Sequence, residues 1–197
     1  MIFATGNKHK LRELRELLPG IELEPLPDDV TLPPEEGESF AQIALEKARA
    51  THRATARAVV ADDSGIGAVG LQGRPGVNSA RYGGEGASDE ENLAKLLREV
   101  AAAGDERHAY YTCALALIEE DGDEHVFEAR CEGRLIEQPR GSGGFGYDPA
   151  FVPDDIDDER TMSELADAEK NEISHRGRAA RMLAAHLGAR GPAPGRR

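Results

Sequence analysis

Several residue types that mark particular protein classes are scarce in this chain of 197 residues. It has no tryptophan and only two cysteines, Cys113 and Cys131, too few for a disulfide framework and without the spacing of a zinc motif. No apolar run approaches the ~20 residues that span a bilayer, and no charged segment followed by a long apolar stretch begins the chain. We therefore expect reduced cysteines, a cytoplasmic location and no membrane partner.

Positive charge is also in short supply, with 24 Lys and Arg against 37 Asp and Glu and a net charge of -13. Non-specific affinity for nucleic acid comes mainly from Lys and Arg that displace counterions, so DNA and RNA are not expected partners. The six histidines form neither an H-x-x-x-H nor an H-E-x-x-H pattern, which argues against a zinc hydrolase. The negative net charge is still compatible with a small phosphate substrate complexed with a metal, because a local cluster of basic residues can face such a substrate.

Strand-like and helix-like segments alternate along the chain, which is typical of an α/β fold. No shift in composition divides the sequence, so we expect one domain over residues 1–188 and a flexible tail at 189–197. The patterns predict strands at 1–4, 21–25, 58–61, 66–73 and 133–138 and a hairpin of 110–118 with 125–131. They predict helices over 8–18, 39–57 and 88–103, and a helical segment in one or two pieces over 163–187.

The first candidate functional segment follows the strand at 1–4 and opens a helix. Backbone N–H groups and the positive end of a helix dipole can hold phosphate oxygens at such a place. A plain polar turn capped by Asn7 is the alternative. The residues of the segment are Thr5, Gly6, Asn7, Lys8, His9 and Lys10.

The adjacent carboxylates Asp62 and Asp63 follow the apolar strand at 58–61, and open α/β sheets bind ligands beyond the carboxyl ends of their strands. Successive side chains of a strand point to opposite faces, so we expect one carboxylate to enter the site and the other to be structural. One or two carboxylates suffice for Mg²⁺, which keeps waters and substrate oxygens as its other ligands.

A glycine-rich segment at 141–146 fits the G-x-G-x-x-G spacing of dinucleotide-binding enzymes, but Pro149 and Pro153 prevent the helix that this fingerprint requires. A dehydrogenase is therefore disfavoured. The same loop carries Phe145, Gly146, Tyr147 and Asp148, which suit stacking on a base and hydrogen bonding to its edge or sugar. Further along, Lys170, His175 and Arg176 form a basic group that can bind phosphate or a purine oxygen, or else be a solvated face.

Five motifs in fixed order closely resemble the inosine triphosphate pyrophosphatase family, and within it the bacterial dITP/XTP pyrophosphatases. The resemblance runs from residue 2 to about 187. The motifs are Ala4-Thr-Gly-Asn-x-x-Lys10, Ala61-Asp-Asp-Ser-Gly65, Pro75-Gly-Val-Asn-Ser-Ala-Arg-Tyr82, Gly143-Gly-Phe-Gly-Tyr-Asp-Pro149 and Glu169-Lys-Asn-Glu-Ile-Ser-His-Arg-Gly177.

The resemblance implies a homodimer whose subunits have an elongated central mixed β-sheet flanked by helices. It implies hydrolysis of ITP, dITP and XTP to the monophosphate and pyrophosphate with Mg²⁺, which clears deaminated purines from the nucleotide pool. Asp63 is implied as the metal ligand and the catalytic proton acceptor. The implied substrate-binding residues are Thr5, Gly6, Asn7, Lys8, His9, Lys10, Ser64, Phe145, Gly146, Tyr147, Asp148, Lys170, His175 and Arg176.

The chain departs from the family at one motif, because Phe40-Ala-Gln42-Ile43-Ala44 stands where the family usually has Phe-x-Glu-Asn-Ala. Three interpretations are open: Gln42 ligates the metal through its amide oxygen, Glu38 supplies the missing carboxylate, or Gln42 serves only in a capping box with Ser39. The substitution at Gln42 is the only support for an alternative function, a non-catalytic nucleotide sensor.

A further alternative, besides the sensor and the dehydrogenase, is a septum-formation-type pyrophosphatase acting on modified pyrimidines. The motifs at 143–148 and 174–176 argue against it.

Overall fold

A six-stranded mixed β-sheet forms the centre of the molecule in the computed structural model, which describes residues 1–189. Its strands are β1 (Ile2–Phe3), β2 (Glu24–Pro25), β3 (Val59–Ala68), β4 (His108–Ile118), β5 (Glu124–Leu135) and β6 (Phe151–Pro153). Their order is β2-β1-β3-β4-β5-β6. Strand β1 is parallel to β2 and β3, and the remaining neighbours are antiparallel, which confirms the predicted mixed sheet.

Five α-helices flank this sheet within the described residues. They are α1 (Lys8–Leu17), α2 (Phe40–Thr55), α3 (Asp89–Ala102), α4 (Asp167–Ile173) and α5 (His175–Ala189). The first three begin at predicted caps, because the side chains of Asn7, Ser39 and Ser88 each accept a backbone N–H from the first turn. Short 3₁₀ turns lie at Val69–Leu71, Gly76–Arg81, Asp148–Ala150 and Met162–Glu164.

The two faces of the sheet are packed differently. On one face, larger apolar side chains of the sheet, among them Val60 and Leu115, pack against α1 and α5, to which Leu183 belongs. On the other face, Ala61 and Ala116 belong to a cluster rich in alanine that includes residues of α2. Because side chains alternate along a strand, consecutive residues of β3 point to opposite faces of the sheet.

The longest strands differ from their predicted bounds. Strand β3 continues through Asp62 and Asp63 to Ala68, paired with β4 along its whole length, so the predicted end of the strand at the two carboxylates and the separate strand at 66–73 were wrong. Strand β5 likewise includes residues 133–135, so the strand predicted at 133–138 is not separate. In both places small polar residues and glycines looked like a break, but ladder hydrogen bonds to β4 outweigh their weak strand propensity.

Smaller features agree with the predictions or extend them. The helical segment predicted at 163–187 in one or two pieces is two helices, α4 and α5, with Ser174 between them in an extended conformation. Cys113 and Cys131 are buried free thiols. Within residues 1–189, no helix combines the length and the apolarity needed to cross a bilayer. The predicted tail at 189–197 lies, beyond Ala189, outside the described residues.

Candidate active site

A cleft opens beside the middle of β3 and encloses about 790 Å³ when its open mouth is included. Its walls come from the loop before α1, from β3, from the glycine-rich loop and from the junction of α4 with α5. Residues distant in sequence therefore meet at one place. The predicted site residues that line the cleft are Asn7, Lys10, Asp63, Ser64, Phe145, Gly146, Tyr147, Asp148, Lys170, His175 and Arg176.

Asp62 points towards the α1 and α5 layer and is wholly buried. Its Oδ2 atom lies 3.1 Å from Lys10 Nζ and 3.1 Å from Arg176 Nη2. Burial raises the pKa of Asp62, but the charges of Lys10 and Arg176 outweigh burial and hold the pKa well below its usual range. Asp62 is therefore the structural carboxylate of the pair, ionised and fixed between two cations.

Asp63 points the other way, towards α2, and lines the cleft. Its nearest cation is Lys47, whose Nζ lies 3.5 Å from Oδ1. Burial raises the pKa of Asp63 to about 6, and the charges of Lys47 and Lys10 offset burial only in part. A carboxylate whose pKa lies this close to neutrality can accept a proton more readily than an ordinary aspartate.

Two residues of this half of the site were missed by the sequence analysis. Lys47 lies on the buried face of α2, and its Nζ donates to Glu35 Oε1 at 2.8 Å. Glu35 lines the same cleft as Asp63, so two carboxylates share one ammonium group. Lys47 follows Ile43 by four positions on the apolar stripe of the helix, and a charge on such a stripe is a signal that could have identified it. Glu35 stands in an aperiodic loop that offers no comparable signal.

Hydrogen bonds around Gln42 bear on the three interpretations of the departure there. The Oε1 atom of Gln42 accepts the backbone N–H of Glu38 at 3.2 Å, and its own backbone N–H donates to Ser39 Oγ. Its amide nitrogen donates to Glu46. Glu38 lines a separate groove beside Tyr110 rather than the cleft. Gln42 thus serves the start of α2, although its side chain bonds the N–H of Glu38 and not that of Ser39, so the reciprocal capping box is incomplete. Glu35 is a carboxylate of the cleft beside Asp63.

The loop before α1 is built by its own polar side chains. Asn7 Oδ1 accepts the N–H groups of His9 at 2.9 Å and Lys10 at 3.3 Å, while Thr5 Oγ1 accepts the N–H of Asn7. These oxygen atoms shape the loop and are already hydrogen-bonded. Thr5, Gly6, Lys8 and His9 do not line the cleft, although the ring of His9 lies 5.8 Å from that of Phe145 at the loop opposite.

The basic residues of the helix junction are held by Glu13, a second acidic side chain that the sequence analysis missed. Glu13 on α1 accepts from Lys170 Nζ at 2.8 Å and from Arg176 Nη1 at 2.6 Å. Arg176 donates in addition to Ser64 Oγ at 2.9 Å. A side chain at Gly177 would place its Cβ 1.9 Å from the carbonyl oxygen of Asn171, so the tight turn between α4 and α5 requires glycine.

The glycine-rich loop is anchored through Asp148. This carboxylate accepts from Tyr111 Oη at 3.1 Å, from Lys170 Nζ at 2.9 Å and from the backbone N–H of Phe145 at 3.0 Å. Its oxygen atoms are thus engaged within the protein. Tyr147 is anchored in the same way, because its hydroxyl donates to the Ser79 carbonyl oxygen at 2.7 Å. Both residues line the cleft as parts of its frame.

An aromatic pair forms the floor of the cleft. The rings of Tyr111 and His175 are stacked, with centroids 4.6 Å apart and planes 5° apart. Burial and the neighbouring charges of Arg176 and Lys170 lower the pKa of His175 well below its ordinary value. His175 is therefore neutral at physiological pH and can present a hydrogen bond without a charge.

The cleft contains the donors that a hard divalent cation requires. Mg²⁺ binds through one or two carboxylates and completes its octahedron with water and substrate phosphates. Asp63 and Glu35 both line the cleft and lie 3.5 Å and 2.8 Å from Lys47 Nζ, and the raised pKa of Asp63 indicates that its charge is compensated only in part. A cation beside Asp63 would supply the compensation that Lys47 provides only in part.

Comparisons of the sequence agree with this geometry. The profile of the Ham1 family matches residues 1–186. A Geobacter sulfurreducens protein named dITP/XTP pyrophosphatase is 43% identical, over 97% of this chain and 98% of its own length. A Geobacillus kaustophilus protein of the same name is 46% identical, over 91% of this chain and 89% of its own.

Solved structures share the fold along nearly the whole chain. A HAM1 protein from Coxiella burnetii matches with a TM-score of 0.86 and 38% identity, covering 95% of this chain and 98% of its own. The Ham1 protein of Staphylococcus aureus matches with a TM-score of 0.85 and 32% identity, covering 96% and 98%. The family profile, the sequence relatives and the shared fold agree, and we conclude that this chain belongs to the Ham1 family.

Proposed function

We propose that this protein hydrolyses deaminated purine nucleoside triphosphates, namely ITP, dITP and XTP, to the monophosphate and pyrophosphate with Mg²⁺. The observation that carries the proposal is the convergence in one cleft of the buried carboxylate of Asp63 with the basic side chains of Lys10 and Arg176. The name dITP/XTP pyrophosphatase, carried by relatives at 43% and 46% identity, supports the reaction and the substrate class.

In this proposal different charged groups of the cleft bind the phosphates, accept the proton and hold the metal. Lys10 binds the triphosphate and is positioned by Asp62, which also pairs with Arg176. Asp63 accepts the proton of the water that attacks phosphorus, and Lys47 holds the carboxylate in place. Asp63 and Glu35 would hold Mg²⁺, which when bound neutralises phosphate charge and polarises the phosphoryl group. Oriented attack within a fixed frame of charges is the main means of catalysis for phosphoryl transfer.

Recognition of the base is assigned to the stacked floor and the glycine-rich loop. Hypoxanthine and xanthine carry an oxo group where adenine carries an amino group, so a hydrogen-bond donor favours the deaminated bases. The sequence offered both Arg176 and His175 as donors, but the Nη atoms of Arg176 already donate to Glu13, Asp62 and Ser64. Neutral His175, beside Tyr111 in the cleft, is the better candidate.

The alternative function of a non-catalytic nucleotide sensor loses its support when Glu35 is counted among the carboxylates of the cleft. Its only basis was the missing carboxylate at Gln42, and Glu35 provides a carboxylate in the cleft. The relatives' name likewise favours turnover over binding alone.

The decisive assay measures pyrophosphate, distinguished from orthophosphate, released from ITP, XTP, dITP, GTP and ATP with Mg²⁺ at neutral to alkaline pH. We expect pyrophosphate from the three deaminated substrates and little from GTP or ATP. Intact ITP and XTP, under conditions in which a known relative cleaves them, would overturn the proposal. Binding of ITP without any release of pyrophosphate would point to the sensor.

We also propose that the protein acts as a homodimer, as the family resemblance implies. Light scattering coupled to gel filtration would measure its mass against the 21.2 kDa of one chain. A mass of one chain at all working concentrations would contradict this part of the proposal.

A further inference from the structure

A second cluster of ligand-type side chains lies far from the cleft. Glu119 follows the end of β4, His125 lies near the start of β5, and His186 is in the last part of α5. His186 is ten residues beyond Arg176 on the same helix, about 15 Å at a rise of 1.5 Å per residue. The cluster therefore connects the tip of the β4–β5 hairpin to the end of the C-terminal helix.

The fold brings the three groups together on one layer. His125, Phe127 and Ala129 alternate along β5, and the last two pack with Leu183 of α5 in the same apolar cluster. His186 is three residues beyond Leu183 and thus on the same face of the helix. The rings of His125 and His186 lie 4.2 Å apart by their centroids, and the ring of Phe127 packs on His186 at 5.4 Å.

The spacing of the ligand atoms matches a metal site. Glu119 Oε1 lies 3.2 Å from His125 Nε2 and 3.1 Å from His186 Nε2, and one ligand atom from each residue falls within 4.8 Å of the others. Four ligands at about 2.0–2.1 Å from a tetrahedral Zn²⁺ are separated from one another by roughly 3.3 Å. Two histidines and a glutamate are a ligand set that Zn²⁺ accepts, with water as the fourth ligand.

An orphaned atom points to a missing partner at the same place. His125 Nε2 is buried and has no hydrogen-bond partner within residues 1–189, although Glu119 Oε1 lies 3.2 Å away. A buried nitrogen that faces a carboxylate without an aligned hydrogen bond calls for an explanation, and an ion bound between the two groups is one that fits. We propose that Glu119, His125 and His186 bind a divalent transition-metal ion of the Zn²⁺ type that clamps the end of α5 to the β4–β5 hairpin.

The proposal is tested on the full-length protein stripped of metal with a chelator. Co²⁺ is added in the presence of excess Mg²⁺, which saturates sites built from oxygen ligands. We expect one equivalent of Co²⁺ to give the visible absorption of a four-coordinate ion with imidazole ligands, and one equivalent of Zn²⁺ to abolish it. Zn²⁺ at about 100 times its dissociation constant should raise Tm by roughly 5–10 °C.

Variants assign the signal to these residues. His186→Gln and His125→Gln keep a polar side chain of similar size, so we expect folded proteins, verified by circular dichroism, without the Co²⁺ spectrum or the zinc-dependent rise in Tm. The matched control is His108→Gln, because His108 pairs at 3.4 Å with a single glutamate, Glu132, elsewhere on the same hairpin. That variant should keep both signals.

Two results would overturn the proposal. One is a wild-type protein with neither a stoichiometric Co²⁺ spectrum nor a zinc-dependent change in Tm. The other is an unchanged spectrum in the folded variant carrying both His125→Gln and His186→Gln, which would place the ion at another site. Neither readout depends on catalytic turnover.

Discussion

Adjacent residues on the two faces of β3 differ sharply in their electrostatics. Asp62 lies on the α5 face between Lys10 and Arg176, and these cations hold its pKa well below the usual range. Asp63 lies on the α2 face, where Lys47 is shared with Glu35 and burial raises the pKa to about 6. The carboxyl groups of two adjacent aspartates thus have pKa values shifted in opposite directions.

The difference shows how a strand can separate positioning from proton transfer. Side-chain alternation sends consecutive residues into different layers, so each carboxylate meets a separate set of charges. A pair of titratable groups whose pKa values are driven apart is the arrangement by which enzymes assign acid and base roles. In the proposed mechanism, Asp62, which is paired with two cations, holds the phosphate-binding side chains, and Asp63, which is less well compensated, accepts the proton.

The largest expected effect concerns turnover. We expect Asp63→Asn to lower kcat for pyrophosphate release from ITP by roughly 10²–10⁴-fold, because the amide is not a proton acceptor at neutral pH. The measurement is steady-state kinetics with saturating Mg²⁺. Asp157→Asn removes the same charge from an exposed loop and should leave kcat unchanged. Equal kinetics for Asp63→Asn and the wild type would remove the proposed role of the α2 face.

Asp62→Asn tests the other face and should act mainly on stability. Removing this charge leaves Arg176 buried with less compensation, and breaking such a pair typically lowers the free energy of unfolding by about 3–5 kcal/mol. Because the folded pKa of Asp62 is depressed, its contribution is present above the unfolded pKa of ~3.9 and is lost as pH falls through the folded value.

Urea denaturation of Asp62→Asn at pH 7.5 gives the measurement, with Asp157→Asn again as the control for charge alone. A free energy of unfolding equal to that of the wild type would contradict the view of Asp62 as the structural carboxylate. It would also blur the contrast between the two faces of β3.

Local sequence patterns predicted that Asp62 and Asp63 have different surroundings, but not which residues surround them. The alternation rule separated Asp62 from Asp63 before their partners were known, and the caps at Asn7, Ser39 and Ser88 located three helix starts. The mixed sheet followed from the family resemblance rather than from periodicity. The length of β3 did not follow from either, because pairing with β4 is a long-range interaction that short windows do not contain.

The partners of the carboxylates were harder to predict, for a physical reason. Glu13, Glu35 and Lys47 act through contacts that the tertiary fold creates, and 157 residues separate Glu13 from Lys170. Motif reasoning found residues that stand in recognisable runs and overlooked single charges within an ordinary helix or loop. Asp148 was found, but its role as an anchor of the loop depends on Tyr111, which no motif contained.

The α2 face is sharpened by comparing Glu35 with Gln42. We expect Glu35→Gln to raise the Mg²⁺ concentration for half-maximal velocity by about 10–100-fold, because a carboxylate of the cleft loses its charge. Gln42→Ala should leave that concentration unchanged and cost only about 0.5–1 kcal/mol of stability through the weakened helix start. Mg²⁺ titrations of pyrophosphate release measure both variants. The opposite ranking would restore Gln42 as the metal ligand.

The effect of Asp63 on the stability of the fold has an unusual sign. The folded pKa of Asp63 is about 6, above the unfolded ~3.9, so the folded protein binds more protons between these values and its stability falls as pH rises through them. Above pH 6, without Mg²⁺, the ionised Asp63 therefore destabilises the fold. Asp63→Asn removes that cost while Lys47 keeps Glu35 as its partner, so we expect a gain of about 1–3 kcal/mol.

Thermal unfolding in a chelator at pH 8 should show Asp63→Asn above the wild type in Tm by a few degrees, and near pH 3.5 the difference should vanish because wild-type Asp63 is then protonated. Added Mg²⁺ should reverse the ranking at pH 8, since only the wild type gains from the cation. Asp62→Asn is expected to lower Tm in the chelator at pH 8. If both variants lowered Tm there, Asp63 would be a structural carboxylate like its neighbour, and the two faces of β3 would no longer differ in function.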